Sequence, residues 1–337
     1  MKALKYILLL LLILFIGLSI FIAVQPNSFE VTRTRNIKAP QEVLYNKIID
    51  FETWKDWSSW IEADPEMKIT IPEKHEGVGG SYSWEDKDGV GTMTTVAANP
   101  YNSITQEMQI AEFPKSDVSW KLEAKEDGST DVTWDISGKN LPFAFKLVST
   151  LMGGMEKLIG PHYERSLEKL DSITQEDMKR YEVTIDGITE YGGGYYLYKT
   201  TNANAQNISV KMGENFGAIM MFMGKNGIKQ SGMPLTVYND MSSSDVIMSN
   251  GIPVNEKITL REGSDVSINF IPNIKVLKTT LKGNYTNLSK AWEETMAYLV
   301  KNNLEQSEEK PFEIYTTDPG HYPNPADWVT EIYIPIK

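Results

Sequence analysis

Four short stretches in the second half of this chain occur twice and in the same order. Leu197-Tyr-Lys-Thr-Thr201 returns as Val276-Leu-Lys-Thr-Thr280, and Lys225-Asn-Gly-Ile-Lys-Gln-Ser231 returns as Lys301-Asn-Asn-Leu-Glu-Gln-Ser307. Pro234-Leu-Thr-Val-Tyr238 returns as Pro311-Phe-Glu-Ile-Tyr315, and Asp245-Val-Ile-Met-Ser-Asn-Gly-Ile-Pro253 as Asp327-Trp-Val-Thr-Glu-Ile-Tyr-Ile-Pro335. The offset drifts from 76 to 82 residues through small insertions. Two copies of so long a module predict one pseudo-two-fold domain rather than a solenoid, which needs about three or more stacked repeats. Each copy reads strand–helix–strand–strand. Helical spacing covers Gly213 to Asn226, with Phe216, Ile219, Met220 and Met223 apolar. It also covers Tyr285 to Asn303, with Leu288, Trp292, Met296, Leu299 and Val300 apolar, and Thr286 or Asn287 is the expected cap.

The N-terminus follows a different rule. Tyr6 to Val24 is an uncharged run of 19 residues, close to the roughly 20 that a helix needs to cross a bilayer. A cleaved signal peptide has a shorter apolar core, about 7–15 residues, and a small-x-small site that Ala23-Val24-Gln25-Pro26 does not supply. An uncleaved single-pass anchor is therefore expected over residues 1–27. Lys2 and Lys5 adjoin the run on one side, while Arg33, Arg35 and Lys38 follow on the other. The closer N-terminal charges place the N-terminus in the cytoplasm of a bacterial cell and both domains outside the inner membrane.

Composition excludes several chemistries. Among 337 residues, 33 are Lys or Arg and 45 are Asp or Glu, a net charge of −12, so a duplex nucleic acid would be repelled. Cysteine is absent, which removes disulfides, thiolate zinc sites, iron–sulfur clusters and cysteine nucleophiles. The three histidines, His75, His162 and His321, form no HxxxH or HExxH pattern, so neither a histidine-based metal site nor a bound cofactor is expected.

Residues 28–173 read as strands followed by one long helix. Phe29 to Ile37 is a strand, Ala39-Pro40 breaks it, and Gln41 to Ile49 has helical spacing. Val118 to Ala124 and Asp131 to Ile136 alternate apolar and polar residues across an Asp127-Gly128 turn, and Asp88-Gly89 marks a second hairpin between Tyr82–Glu85 and Thr92–Ala97. From Leu141 to Leu170, Leu147, Leu151, Met155, Leu158, Tyr163, Leu167 and Leu170 recur at helical spacing. The ordered set Ile37-Lys-Ala-Pro40, Ile49-Asp50-Phe51 with Trp54, Trp57-Ser-Ser-Trp60, Asp64-Pro65, Gly77-Val-Gly-Gly80 with Trp84, Gly89-Val-Gly-Thr-Met93 and Thr130-Asp-Val-Thr-Trp134 resembles the SRPBCC superfamily, the START-like or polyketide cyclase-like proteins. The resemblance implies a helix-grip fold, an antiparallel sheet around a long C-terminal helix, with a cavity for hydrophobic small molecules. Trp57, Trp60, Trp84, Trp120 and Trp134 are its candidate lining, with plain core packing as the alternative for each. Arg33 and Arg35 share strand parity with Val31 and Ile37, and snorkelling to water is expected of them.

Residues 178–337 carry Gly232-x-Pro234, Val237-Tyr-Asn-Asp240, Lys278, Gly283-Asn-Tyr285, Trp292, Leu304, Glu313-Ile-Tyr315 with Asp318-Pro319, and Thr330-Glu-Ile-Tyr-Ile-Pro-Ile336. This set resembles the GyrI-like domain, the effector-binding domain found alone or attached to AraC- and MerR-type regulators. Asn284 departs from the pattern, where proline is expected. Glu331 faces Ser249 in the repeat, so its carboxylate is an asymmetric addition. It shares a strand face with Val329 and Tyr333, and a carboxylate on an inner face needs a partner. The resemblance makes Glu331 the acidic floor of an aromatic pocket for lipophilic cations, with Tyr285, Trp292, Tyr315 and Tyr333 around it; an exposed strand Glu is the alternative.

The fold class expected is α+β: one transmembrane helix, a helix-grip domain over 28–173, and a two-fold repeat of strand–helix–strand–strand modules over 178–337. The function expected is a membrane-anchored protein holding a hydrophobic or cationic small molecule in apolar and aromatic pockets. It is placed ahead of a hydrolase or cyclase with Glu331 as general base. No GxSxG nucleophile, paired-carboxylate signal or metal cluster accompanies Glu331, and no helix-turn-helix makes the chain a DNA-binding regulator by itself. A third possibility is a scaffold whose cavities are filled by their own side chains.

Overall fold

Two compact units divide the chain, Met1–Asp177 and Met178–Lys337. The computed structural model describes residues 2–86, 89–241 and 245–337. The first unit begins with helix α1 (Lys2–Ala23), then β1 (Ser28–Ile37) and α2 (Gln41–Ile49). Two short helices follow, α3 (Trp54–Trp57) and α4 (Ser59–Ala63). Strands β2 (Lys68–Thr70), β3 (Ser81–Asp86), β4 (Gly89–Asn99), β5 (Ser103–Ile110), β6 (Ser116–Ala124) and β7 (Thr130–Lys139) lead to α5 (Phe143–Leu151) and α6 (Met155–Met178). The strands form one antiparallel sheet in the order β1-β7-β6-β5-β4-β3-β2. The expected β1, α2 and β6–β7 hairpin are where the pattern put them. Of the Asp88-Gly89 turn, Asp88 lies outside the described residues.

Alternation turns Val118, Trp120 and Leu122 of β6 and Val132, Trp134 and Ile136 of β7 inward. α6 answers with Ile159, Tyr163, Leu167, Leu170 and Thr174, recurring at intervals that keep them on one helical stripe. The single long helix expected from Leu141 to Leu170 is two. Gly153 and Gly154 both adopt left-handed backbone, φ 93° and 94°, where a helix cannot continue and a side chain would be strained. α6 then runs on past Leu170 and through residues 174–177, between the two expected domains, to Met178.

Arg33 and Arg35 do not snorkel. Arg33 Nε and Nη2 reach Glu164 and Glu156 of α6 at 2.6 and 2.5 Å, and Arg35 Nε reaches Asp171 at 3.0 Å. Edge strand β1 is thereby bolted along the long helix. The guanidinium of Arg33 passes over Gly160, where a Cβ would lie 2.2 Å from Nη2. Gly160→Ala would displace that guanidinium, the movable end of a flexible side chain; the expected cost is the Glu156 contact, at most about 1 kcal/mol, set against about 1 kcal/mol of helix propensity gained, read as a small shift of the denaturation midpoint. Arg33→Ala in the same background should remove most of that cost.

The second unit contains β8 (Tyr181–Tyr191), β9 (Gly194–Ala203), α7 (Ile208–Asn226), β10 (Leu235–Asp240), β11 (Val246–Val254), β12 (Ser267–Ile271), β13 (Ile274–Gly283), α8 (Leu288–Lys301), β14 (Phe312–Tyr315) and β15 (Val329–Pro335). Its sheet runs β12-β9-β11-β10-β14-β15-β13-β8. Reading from either edge gives the same series, so the pseudo-two-fold axis passes between β10 and β14. The repeat supplies β9-α7-β10-β11 and β13-α8-β14-β15. The strands preceding each copy are exchanged, since β8 pairs with β13 and β12 with β9. Of the two expected caps, Asn287 occupies the N-cap position of α8, but the capping hydrogen bond comes from further upstream. Asn284, the residue standing where proline is expected, accepts the Thr286 N–H at 2.9 Å through its side chain, and Asn287 makes no side-chain cap bond.

Both long helices lie on one face of this sheet. Cross-strand register aligns Lys199, Asn250, Thr236, Glu313, Ile332 and Thr279 in a single row. Ile252, on the same face of its strand as Asn250, packs with Ile219 and Met223 of α7, and Ile332 packs with Ala291 and Leu299 of α8. The opposite face carries a separate apolar cluster of Tyr196, Leu235, Val237, Ile271, Val276, Phe312 and Tyr333.

Candidate functional site

In the first unit, four of the five candidate tryptophans converge. Trp120 and Trp134 sit directly across from each other on β6 and β7 and stack at 4.1 Å, and Trp134 stacks on Tyr163 of α6 at 3.7 Å. Trp57 meets both edge-on at 6.0 Å, and Trp60 lies edge-on to Trp134 at 5.9 Å. Trp84 stands apart, tilted against Tyr82 and seated over Gly91, where a Cβ would strike its ring. Trp54, not among the candidates, completes the cluster against Trp57, Trp120 and Trp134. These rings occupy the space between sheet and long helix.

The polar groups among them are few. Trp120 Nε1 donates to Gln106 Oε1 at 3.0 Å, whereas the buried Nε1 of Trp134 has no partner among the described residues. His162 stacks on Trp60, its Nδ1 is 2.9 Å from the Ser59 hydroxyl, and burial lowers its pKa. One group of metal-ligand type exists among the described residues: Asp50, Glu52 and His75 place ligand atoms within 4.8 Å of one another. Nδ1 of His75 lies 2.7 Å from Asp50 and Nε2 lies 3.9 Å from Glu52.

In the second unit the five ligand candidates separate onto two faces. Glu331 and Tyr333 lie on the face without helices. There Lys278 Nζ is 2.7 Å from Glu331 Oε1, and the Tyr333 hydroxyl donates to Oε2 at 2.6 Å. Both carboxylate oxygens are engaged and the charge is matched. Glu331 borders a cleft of about 610 Å³ that is also lined by Tyr191, Tyr196, Leu235, Phe270 and Ile314. Trp292, Tyr315 and Tyr285 lie on the helix-bearing face, so the grouping of Glu331 with all four aromatic residues does not hold.

The carboxylate that Trp292 and Tyr315 surround is Glu313, which the sequence reading did not select. It is 1% exposed. Trp292 Nε1 donates to Oε1 at 2.5 Å and the Tyr315 hydroxyl to Oε2 at 2.8 Å, and Tyr238 also hydrogen-bonds to it. No ion pair reaches Glu313 among the described residues. Burial pushes its carboxyl pKa up, while the three donors act in the opposite direction. The Tyr315 hydroxyl is pushed well above its usual value, by burial and then by the Glu313 charge. Tyr285 meets Tyr315 edge-on at 5.7 Å, and Phe216 of α7 meets it from the other side at 6.1 Å.

A row of amides braces this carboxylate from the first repeat. Asn215 Nδ2 donates to Asn250 Oδ1 at 2.8 Å, and Asn250 Nδ2 donates to Thr236 Oγ1 at 2.9 Å. Thr236 Oγ1 lies 2.9 Å from the Tyr315 hydroxyl. With Tyr315 donating to Glu313, Thr236 donates to Tyr315, and every proton in the chain points toward the carboxylate. Asn250→Ala leaves Asn215 and Thr236 short of a partner, an expected loss of about 1–3 kcal/mol, measurable as a lower melting temperature. The signal for Glu313 was present in the repeat: its counterpart is Thr236, the same kind of asymmetry that singled out Glu331 against Ser249.

A family model described as polyketide cyclase/dehydrase and lipid transport matches residues 28–173, and one described as a GyrI-like small molecule binding domain matches residues 195–337. No curated protein matches the chain. Among solved structures, the crystal structure of the EcmrR C-terminal domain is 19% identical, with 47% of this chain and 98% of that chain covered and a TM-score of 0.40. The cryo-EM EcmrR–DNA complex is 18% identical, covering 57% and 71%, with a TM-score of 0.41. Protein CV1439 from Chromobacterium violaceum is 18% identical, covering 44% and 97%, with a TM-score of 0.31. Behind one apolar N-terminal helix, the chain joins a domain of the polyketide cyclase/dehydrase and lipid transport family to a GyrI-like small-molecule-binding domain.

Proposed function

We propose that this is a single-pass membrane receptor that holds a hydrophobic, positively charged small molecule against Glu313. In this reading residues 1–27 anchor the chain in a bacterial inner membrane, and the domains at 28–173 and 178–337 stand on the outer side. The observation that carries it is a buried carboxylate on the two-fold axis, met only by neutral donors among the described residues and walled by Trp292, Tyr315, Tyr238 and Tyr285. A carboxylate without a counter-ion in a low-dielectric site favours an incoming cation, and the ring faces add cation–π attraction. Support for a retained anchor comes from Ile22, buried within an otherwise exposed helix, and from Lys146 Nζ, which donates to the Ala23 and Gln25 carbonyls at 3.3 and 2.9 Å. These contacts tie α1 to the domain that follows it.

A hydrolase or cyclase acting at the same carboxylate is the second reading. It is favoured by the raised pKa of Glu313, the direction a general base working near neutral pH requires. Glu331, held by Lys278 and Tyr333, lies on the other face and borders the cleft there. The test is titration of the full-length protein in detergent with tetraphenylphosphonium and rhodamine-type cations, following tryptophan fluorescence. Saturable quenching supports the receptor, turnover products in the same mixtures convert it to the enzyme, and no response from any cation overturns both.

A further inference from the structure

Helix α5 is an unusual segment for a chain this acidic. From Asn140 to Met155 there is no Asp or Glu; Lys139 precedes the stretch and Glu156-Lys157 follows it. Within α5 the one charged residue, Lys146, is buried, its ammonium group spent on the Ala23 carbonyl at the end of α1 and the Gln25 carbonyl just beyond it. Apolar residues face out instead: Phe143, Val148, Leu151 and the adjoining Met152 are 47–69% exposed. An amphipathic helix in a globular domain normally does the reverse, burying its apolar side chains and exposing its charge.

The position of α5 accounts for the inversion. It packs against α1, with Ile22 buried where the two meet and Val24 exposed beside it. α1 offers Leu4–Ala23, a length that crosses a bilayer. An element fastened to the last turn of such a helix lies at the level where the hydrocarbon gives way to headgroups. Exposed Phe, Val, Leu and Met side chains bordered by lysines match that layer, apolar on one side and anionic on the other.

We propose that α5 is a second membrane contact, lying in the interfacial layer beside the exit of α1 with Phe143, Val148, Leu151 and Met152 in the acyl boundary. The first domain is then seated on the bilayer by two elements instead of hanging from one. This rests on reading α1 as a membrane anchor, and the test separates the two claims. The absence of cysteine allows single labels on the full chain: Leu151→Cys on α5, Leu12→Cys on α1 and Val300→Cys on the second unit as a water-exposed reference. Each carries an environment-sensitive fluorophore in vesicles of phosphatidylethanolamine and phosphatidylglycerol, with nitroxide lipids labelled near the headgroup or near the chain end. The expected result is loss of most Leu151→Cys fluorescence to the shallow nitroxide, loss of Leu12→Cys fluorescence to the deep one, and neither for Val300→Cys. If Leu12→Cys is quenched and Leu151→Cys behaves like Val300→Cys, the α5 contact is overturned while the anchor stands. If Leu12→Cys is not quenched, both fall.

Discussion

Trp134→Ala is expected to destabilise the first domain by about 3–5 kcal/mol, the range for removing a large aromatic side chain from a packed core. The indole is stacked between Trp120 and Tyr163 and touched edge-on by Trp54, Trp57 and Trp60, so no neighbour can collapse into its place without leaving its own. Phenylalanine at the same two stacked positions separates packing from hydrogen bonding. Trp134→Phe removes an N–H that has no partner among the described residues. Trp120→Phe removes the donor to Gln106 and leaves a buried amide oxygen unpaired, which adds about 1–3 kcal/mol. Denaturant unfolding followed by near-ultraviolet circular dichroism should rank Trp134→Ala worst, Trp120→Phe next and Trp134→Phe mildest. Equal losses for the two phenylalanine variants would show that the Gln106 bond contributes nothing.

Glu313→Gln is expected to weaken lipophilic-cation binding at least about 30-fold, the low end for losing one partner of a buried charge pair, while Glu331→Gln leaves it within about twofold of the parent protein. The ligand-free protein should move the other way and melt higher in Glu313→Gln. The variant keeps the Trp292 bond through its amide oxygen, the Tyr315 hydroxyl can turn to Thr236, and an uncompensated buried charge is gone. The pH dependence follows from the raised pKa of Glu313. In the folded state the carboxyl binds its proton more tightly than in the unfolded chain. Stability is therefore greatest below the unfolded value and is lost as pH rises through the folded one. Cation affinity has the opposite slope, falling with pH as the carboxylate takes up its proton. Calorimetric melting and binding isotherms across that range check both slopes, and Glu313→Gln should flatten both.

Much of this architecture was legible in the residues. Alternation set β6 and β7 and turned Trp120 and Trp134 to one side. The doubled stretches announced a two-fold sheet, and the uncharged run announced α1. The Gly153-Gly154 break, also visible, was overridden by apolar spacing that continued across it. The choice between carboxylates was harder. Glu313-Ile-Tyr315 and Glu331-Ile-Tyr333 are the same local pattern, both departing from their repeat partners. Strand parity says that Glu and Tyr share a side, but not which side is covered.

That is the division between sequence and tertiary structure in this protein. Side-chain period and internal repetition are local quantities, and they determined the elements, their order and the symmetry. Which face of the second sheet receives α7 and α8 depends on how each helix crosses between strands that follow one another in the chain but are not neighbours in the sheet. Only that crossing buries Glu313 among Trp292, Tyr238 and Tyr315 and draws Asn215, Asn250 and Thr236 of the other repeat into line behind it. The same crossing leaves Glu331 on the opposite face, where Lys278 on the adjacent strand matches its charge.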